Sequence, residues 1–190
     1  GHKDVVKLLL DHSERIELNA RDNDGMTAFM YACVNGHKDV IQSLLDHCEK
    51  IELNARNNHG DTALMIACRI GHKDVIQLLL DHSERIELNA RSNNGRTAFM
   101  WACFNGHTDV VKMLLSDSIT IEHRLSAFIA ACRNRRKDTV KLLLENFDID
   151  ISDTNGIPQD MRDFVELHQE ASEELKRFNE IHQAKRRKLS

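Results

Sequence analysis

The chain has 190 residues, 41 % of them hydrophobic, with a single proline and a net charge of −4. That is apolar content enough for a globular core, yet no apolar run approaches the ~20 residues of a membrane-spanning helix. Lys185, Arg186, Arg187 and Lys188 supply four of the 26 basic side chains and no acid follows Glu180, which leaves an acidic body and argues against a nucleic-acid surface on it.

The chain opens on GHKDVVKLLLDHSERIELNAR, and close copies start at Gly36 and Gly71, with a fading one at Gly106, giving a period of 35 residues. A fixed period in this range signals stacked repeats. One copy is too short to bury a core alone, so its apolar residues must face the next copy. The predicted divisions are a partial repeat at 1–21, repeats at 22–56 and 57–91, a repeat with a shortened exit loop at 92–121, a degenerate capping repeat at 122–157, and an amphipathic helix with a basic tail at 158–190.

In chain order, Val5, Val6, Leu8, Leu9 and Leu10 form a helix whose first-helix partner is missing, leaving an apolar edge uncovered. The expectation is a piece of a longer array. Residues 1–21 read as repeat sequence, not as a secretory leader, so an intracellular chain, cytoplasmic or nuclear, is expected. The unit from Ser92 shows the local logic. SNNG tolerates positive φ and forms a turn tip. Thr97 caps a short helix, AFMWAC, that ends at Asn105-Gly106. HTDVVKMLLSD is a second helix with Asp109 in its first turn and Val110, Val111, Leu114 and Leu115 on one face. In the earlier units RIELNAR alternates like an extended segment returning to the next turn.

This order, carried by T-A-[FL]-M-x-A-C-x-x-G-H-x-D-V-[VI]-x-x-L-L, resembles the ankyrin repeat family over about residues 1–157. The resemblance implies an all-α solenoid of helix-turn-helix units with β-turn fingers, here ending in a long C-terminal helix. It also implies a concave partner-binding face made of finger tips and first helices. The family's T-P-L-H is replaced by Thr27-Ala28-Phe29-Met30, Thr62-Ala63-Leu64-Met65 and Thr97-Ala98-Phe99-Met100, which forgoes the preorganised proline at some cost in stability. The period exceeds the family's ~33 residues and lengthens the loop behind the finger.

Toward the C-terminus the pattern changes. Cys103 and Cys132 are 29 residues apart instead of 35, so that finger is short, and Arg135-Arg136 replaces Gly-His where a left-handed turn is due. Beyond Pro158 an apolar stripe, Met161, Phe164, His168, Ala171, Leu175, Phe178 and His182, spaces as one long helix face. Two readings stand: a cap on the last repeat that trails into solvent, as a monomer, or a coiled-coil seam.

The copies also differ from one another, and only at certain positions. Met26/Asp61/Arg96, Tyr31/Ile66/Trp101, Val34/Arg69/Phe104 and Asp24/His59/Asn94 change in size and charge, while the frame of Gly, Thr, Ala-Cys and leucines does not. The variable set maps to finger tips and one face of the first helices. It holds the only tryptophan, the only tyrosine and two arginines, residue types enriched in binding hot spots. Met26, Tyr31, Val34, His59, Asp61, Ile66, Arg69, Asn94, Arg96, Trp101 and Phe104 are the partner-binding candidates, with Arg96, Trp101 and Phe104 the sharpest. The competing explanation is packing or drift.

Other chemistry is thin. Cys33, Cys68 and Cys103 share one register of stacked helices, too far apart for disulfides, and read as buried hydrophobes. The histidines fall in two registers a repeat apart, so no metal site is expected. No glycine loop cradles phosphate and no Cys or Ser stands beside a His–carboxylate pair, so neither cofactor, small-molecule substrate nor catalysis is expected. Lys185, Arg186, Arg187 and Lys188 resemble a nuclear-import signal, or form an ordinary solvated end. Asn19, Asn54 and Asn89 are similar to the finger asparagines that hydroxylases modify in ankyrin proteins; the alternative is that they hydrogen-bond the loop backbone. The functional expectation is a scaffold or adaptor that binds an unidentified protein through the concave face. The alternative is a structural spacer that assembles through its C-terminal helix.

Overall fold

The computed structural model describes residues 1–47, 49–116, 119–149 and 157–169. Its helices are α1 (Lys3–Leu10), α2 (Ala28–Val34), α3 (Lys38–His47), α4 (Ala63–Ile70), α5 (Lys73–Asp81), α6 (Ala98–Asn105), α7 (Thr108–Leu114), α8 (Ile121–Arg133), α9 (Lys137–Asn146) and α10, over 159–169. No strand occurs among the described residues; the nearest approach is an isolated bridge between Arg21 and Thr27.

The first helix of each unit begins where a threonine cap permits. Thr27, Thr62 and Thr97 are extended, and their hydroxyls accept from the backbone N–H of Met30, Met65 and Met100 at 3.2, 3.4 and 3.3 Å. Such a cap contributes about 1 kcal/mol. Gly71 and Gly106 then end α4 and α6 in the left-handed region, at φ 93° and 79°. Arg135 takes the same turn at φ 54°, the one non-glycine with positive φ among the described residues. That conformation costs about 1 kcal/mol for a side chain with a Cβ. The Arg135 guanidinium in turn donates to Asp160 on α10 at 2.9 Å.

Units stack in two rows, α2, α4, α6 and α8 in one and α1, α3, α5, α7 and α9 in the other. The first row is the more closely packed, which puts it on the inner side of a curved stack. Between the rows lies one continuous core built from the repeated leucines, valines and isoleucines, with Met30, Met65, Ile76, Leu79 and Leu143 almost fully enclosed. Cys33, Cys68, Cys103 and Cys132 line up within it as free thiols. Burial pushes Cys33 and Cys132 each up to about 12, and raises Cys68 and Cys103 as well. On α1, Val5, Leu8 and Leu9 form the exposed apolar edge that the pattern predicts.

Two expectations change. RIELNAR is not an extended strand: short 3-10 turns at Ser13–Arg15 and Ser83–Arg85 precede tight turns closed by Ala20, Ala55 and Ala90 N–H groups onto Glu17, Glu52 and Glu87 carbonyls. The alternation is nonetheless real, because Ile51, Leu53 and Ala55 dip into the core between solvent-facing polar residues. With no neighbouring strand to pair with, the backbone bonds close locally. The second change is at the fourth unit. Helix α8 starts at Ile121, capped by the Thr120 hydroxyl on His123 N–H, and replaces the finger with extra helical turns. The boundary drawn between 121 and 122 therefore falls inside that helix.

Helix α10 covers the last unit. Ile157, Met161 and Val165 are buried, and Lys137 sits 5.3 Å above the Phe164 ring, which stacks on His168. The start of the apolar stripe is thus turned onto the chain itself, in line with a cap; Ala171, Leu175, Phe178 and His182 lie outside the described residues.

Candidate functional site

Successive fingers are tied edge to edge. Asn58 N–H donates to Asp24 carbonyl and Asn93 N–H to His59 carbonyl, both at 3.0 Å, while the Asn58 and Asn93 amides reach back to Asn23 and Asn58 carbonyls. Behind the tips, the Asn19 and Asn54 amides span the gap between units. Each donates to a carbonyl, of Lys50 and Arg85 respectively, and accepts from an N–H, of Glu52 and Glu87. This is the loop-bonding role stated as the alternative to modification. Asn89 faces solvent, because the next unit has no finger to meet it. Arg21 and Arg56 extend the same ladder to the carbonyls of Arg56 and Arg91, and Arg21, Arg56 and Arg91 pair with Glu52, Glu87 and Glu122.

The variable positions lie on the fingers and on the inner row of helices, and the structure separates them into groups. Arg96, Trp101 and Phe104 do come together. Trp101 and Phe104 meet edge to face at 5.9 Å, and the Arg96 guanidinium lies 4.5 Å from the Trp101 ring centre and 4.7 Å from that of Phe104. Arg69, from the preceding unit, covers the same indole at 5.4 Å. Cation–aromatic contacts of this kind are worth about 0.5–1 kcal/mol each where partly exposed. Arg69 is held from its other side by Asp61, at 3.4 Å.

Tyr31 heads a second group. It is 45 % exposed, and its hydroxyl donates to Asp22 at 2.6 Å. That hydrogen bond holds the Asp22 carboxyl below its usual range and, from the other side, raises the Tyr31 phenol. Met26 and Val34 are half-buried against the core, and His59 and Asn94 project at the finger tips.

Two candidates do not reach the surface. Ile66 is 0 % exposed, so it is core and not a contact residue. Asp61 is 3 % exposed and reaches the face only through Arg69. Trp101 is itself half-buried and packed on the core. The Asp61–Arg69 pair escaped the sequence reading, although opposite charges eight residues apart around a capped two-turn helix were the available signal. The basic cluster from Lys185 to Lys188 lies outside the described residues.

Comparison with known families decides the architecture. A model of ankyrin repeats matches three times, over residues 1–57, 49–125 and 88–155. The chain belongs to the ankyrin repeat family. Comparison with curated proteins finds no match to the chain. Ankyrin repeats generally mediate protein–protein interaction, and the family is typically non-enzymatic. Among the described residues of this ankyrin array, no three His, Cys, Asp or Glu side chains gather as a metal would require, and no helix is long and apolar enough to cross a membrane.

Proposed function

We propose that this array is a scaffold or adaptor that grips a partner protein on its inner face, between the finger tips and the exposed sides of α2, α4 and α6, and that it performs no chemistry of its own. The observation that carries this reading is the box of Arg69, Arg96, Trp101 and Phe104. Its residues are the ones that differ between otherwise near-identical units, and aromatic and arginine side chains are those on which interface energy concentrates. A core has no use for two guanidinium groups on one indole. A surface that must hold a partner's side chain in one orientation does.

Affinity capture from lysate, comparing the native chain with a Tyr31→Ala/Arg96→Ala/Phe104→Ala variant of matching circular dichroism, tests the proposal. A partner retained by the native chain and lost by the variant supports the inner face. Partners captured equally by both remove function from that face and return it to the C-terminal helix and a structural role.

A further inference from the structure

The box has an unfilled charge. Its two guanidinium groups share the Trp101 ring, and only Arg69 has an anion, Asp61. The Arg96 guanidinium makes no hydrogen bond or ion pair among the described residues. Elsewhere Arg21, Arg56, Arg91 and Arg135 each face a carboxylate, as an acidic chain makes easy. What holds Arg96 is a pair of cation–aromatic contacts, with Trp101 and Phe104, and no acceptor among the described residues takes its N–H groups.

A second observation falls in the same place. Five buried side-chain polar atoms of the described residues lack a partner, and one of them, the indole Nε1 of Trp101, is an N–H donor within this box. Buried polar atoms are nearly always satisfied, so an unpartnered indole N–H beside a half-buried arginine with no acceptor points to a ligand that accepts from both. At the other end of the face the charge is opposite, with Asp22 and Asp24 beside Tyr31.

We infer that the inner face takes an acidic segment of its protein partner, one Asp or Glu carboxylate seating against the N–H edge of Arg96 and packing beside Trp101 and Phe104. Carboxylate and guanidinium form two parallel N–H···O bonds, and the two aromatic contacts already hold the Arg96 guanidinium in place for them. This deepens the proposed function and rests on it.

Selection of peptides from a randomised library on the 190-residue chain tests it, with Arg96→Gln and Arg96→Lys as comparison baits and the fluorescence of Trp101, the only tryptophan, as the readout. The expected result is enrichment of one Asp or Glu position, binding weakened about tenfold by Arg96→Gln, and a Trp101 signal that diminishes with salt. Arg96→Lys should recover only part of the loss, since it keeps the charge without the forked pair of donors. Peptides that bind this face, as judged by the Phe104→Ala variant, but show no acidic preference overturn the carboxylate and leave the proposed function standing. Peptides that tighten when phosphoserine replaces the acid reassign the site to phosphate. A library that yields no binder to the face overturns both readings.

Discussion

Gly60 and Gly95 occupy the same position in successive fingers, at φ +75° and +71°, so alanine at either carries the same backbone strain, about 1 kcal/mol. Their surroundings differ. A Cβ on Gly60 would stand 2.7 Å from the backbone nitrogen of Asn93 and would also meet its side-chain oxygen, whereas a Cβ on Gly95 meets nothing within 4 Å. Asn93 has no room to give without straining its bonds to the His59 and Asn58 carbonyls, at 3.0 and 2.9 Å. Two such bonds are worth about 1 kcal/mol each. Gly60→Ala should therefore cost about 3 kcal/mol and Gly95→Ala about 1 kcal/mol. In thermal unfolding followed by far-UV circular dichroism, that corresponds to a fall in Tm of about 6–12 °C against about 2–4 °C. Equal losses would refute the reasoning, because they would mean that finger-to-finger contact contributes nothing beyond local strain.

The asparagine ladder gives a parallel comparison: Asn54→Ala should lose about 2 kcal/mol in guanidinium unfolding, whereas Asn89→Ala, facing solvent, should stay within about 0.5 kcal/mol of the native chain. His123 is 5 % exposed with Nε2 unpartnered, and burial, followed by the nearby Arg91 charge, holds its pKa below the usual value despite the opposing Glu122. The unfolded chain then binds the extra proton below about pH 6.5, so stability should fall as the pH drops through that value. His123→Leu should flatten the fall, and an unchanged difference in Tm between about pH 7.5 and pH 5 would count against a buried neutral imidazole. In a Cys48→Ser background, a thiol reagent should leave Cys33, Cys68, Cys103 and Cys132 unmodified until denaturant opens the stack, since burial raises all four thiols. Rapid labelling of the native chain would contradict that packing.

The repeat period, the threonine caps, the glycine turns and the row of buried cysteines were all legible in the chain, because each depends on residues within one unit and recurs at a fixed period. Arg135 shows how far this reaches: its mismatch with a glycine turn is visible in the sequence, and it does adopt the left-handed conformation. The loop after each second helix was misread because alternating burial looks the same whether or not a strand is present to pair with it. Ile66 was misread for a related reason. It occupies the same position in its unit as Tyr31 and Trp101, yet it is enclosed where they are partly open.

The sequence by itself therefore determined the unit and its repetition, since local backbone preferences and helical periodicity act over a few residues. Only the tertiary structure decided which of the variable side chains reach the face, and that Arg69 from one unit and Arg96 from the next converge on a single indole. Those outcomes depend on the stacking of one unit upon another, where burial and electrostatic pairing are set by neighbours roughly 35 residues away in the chain.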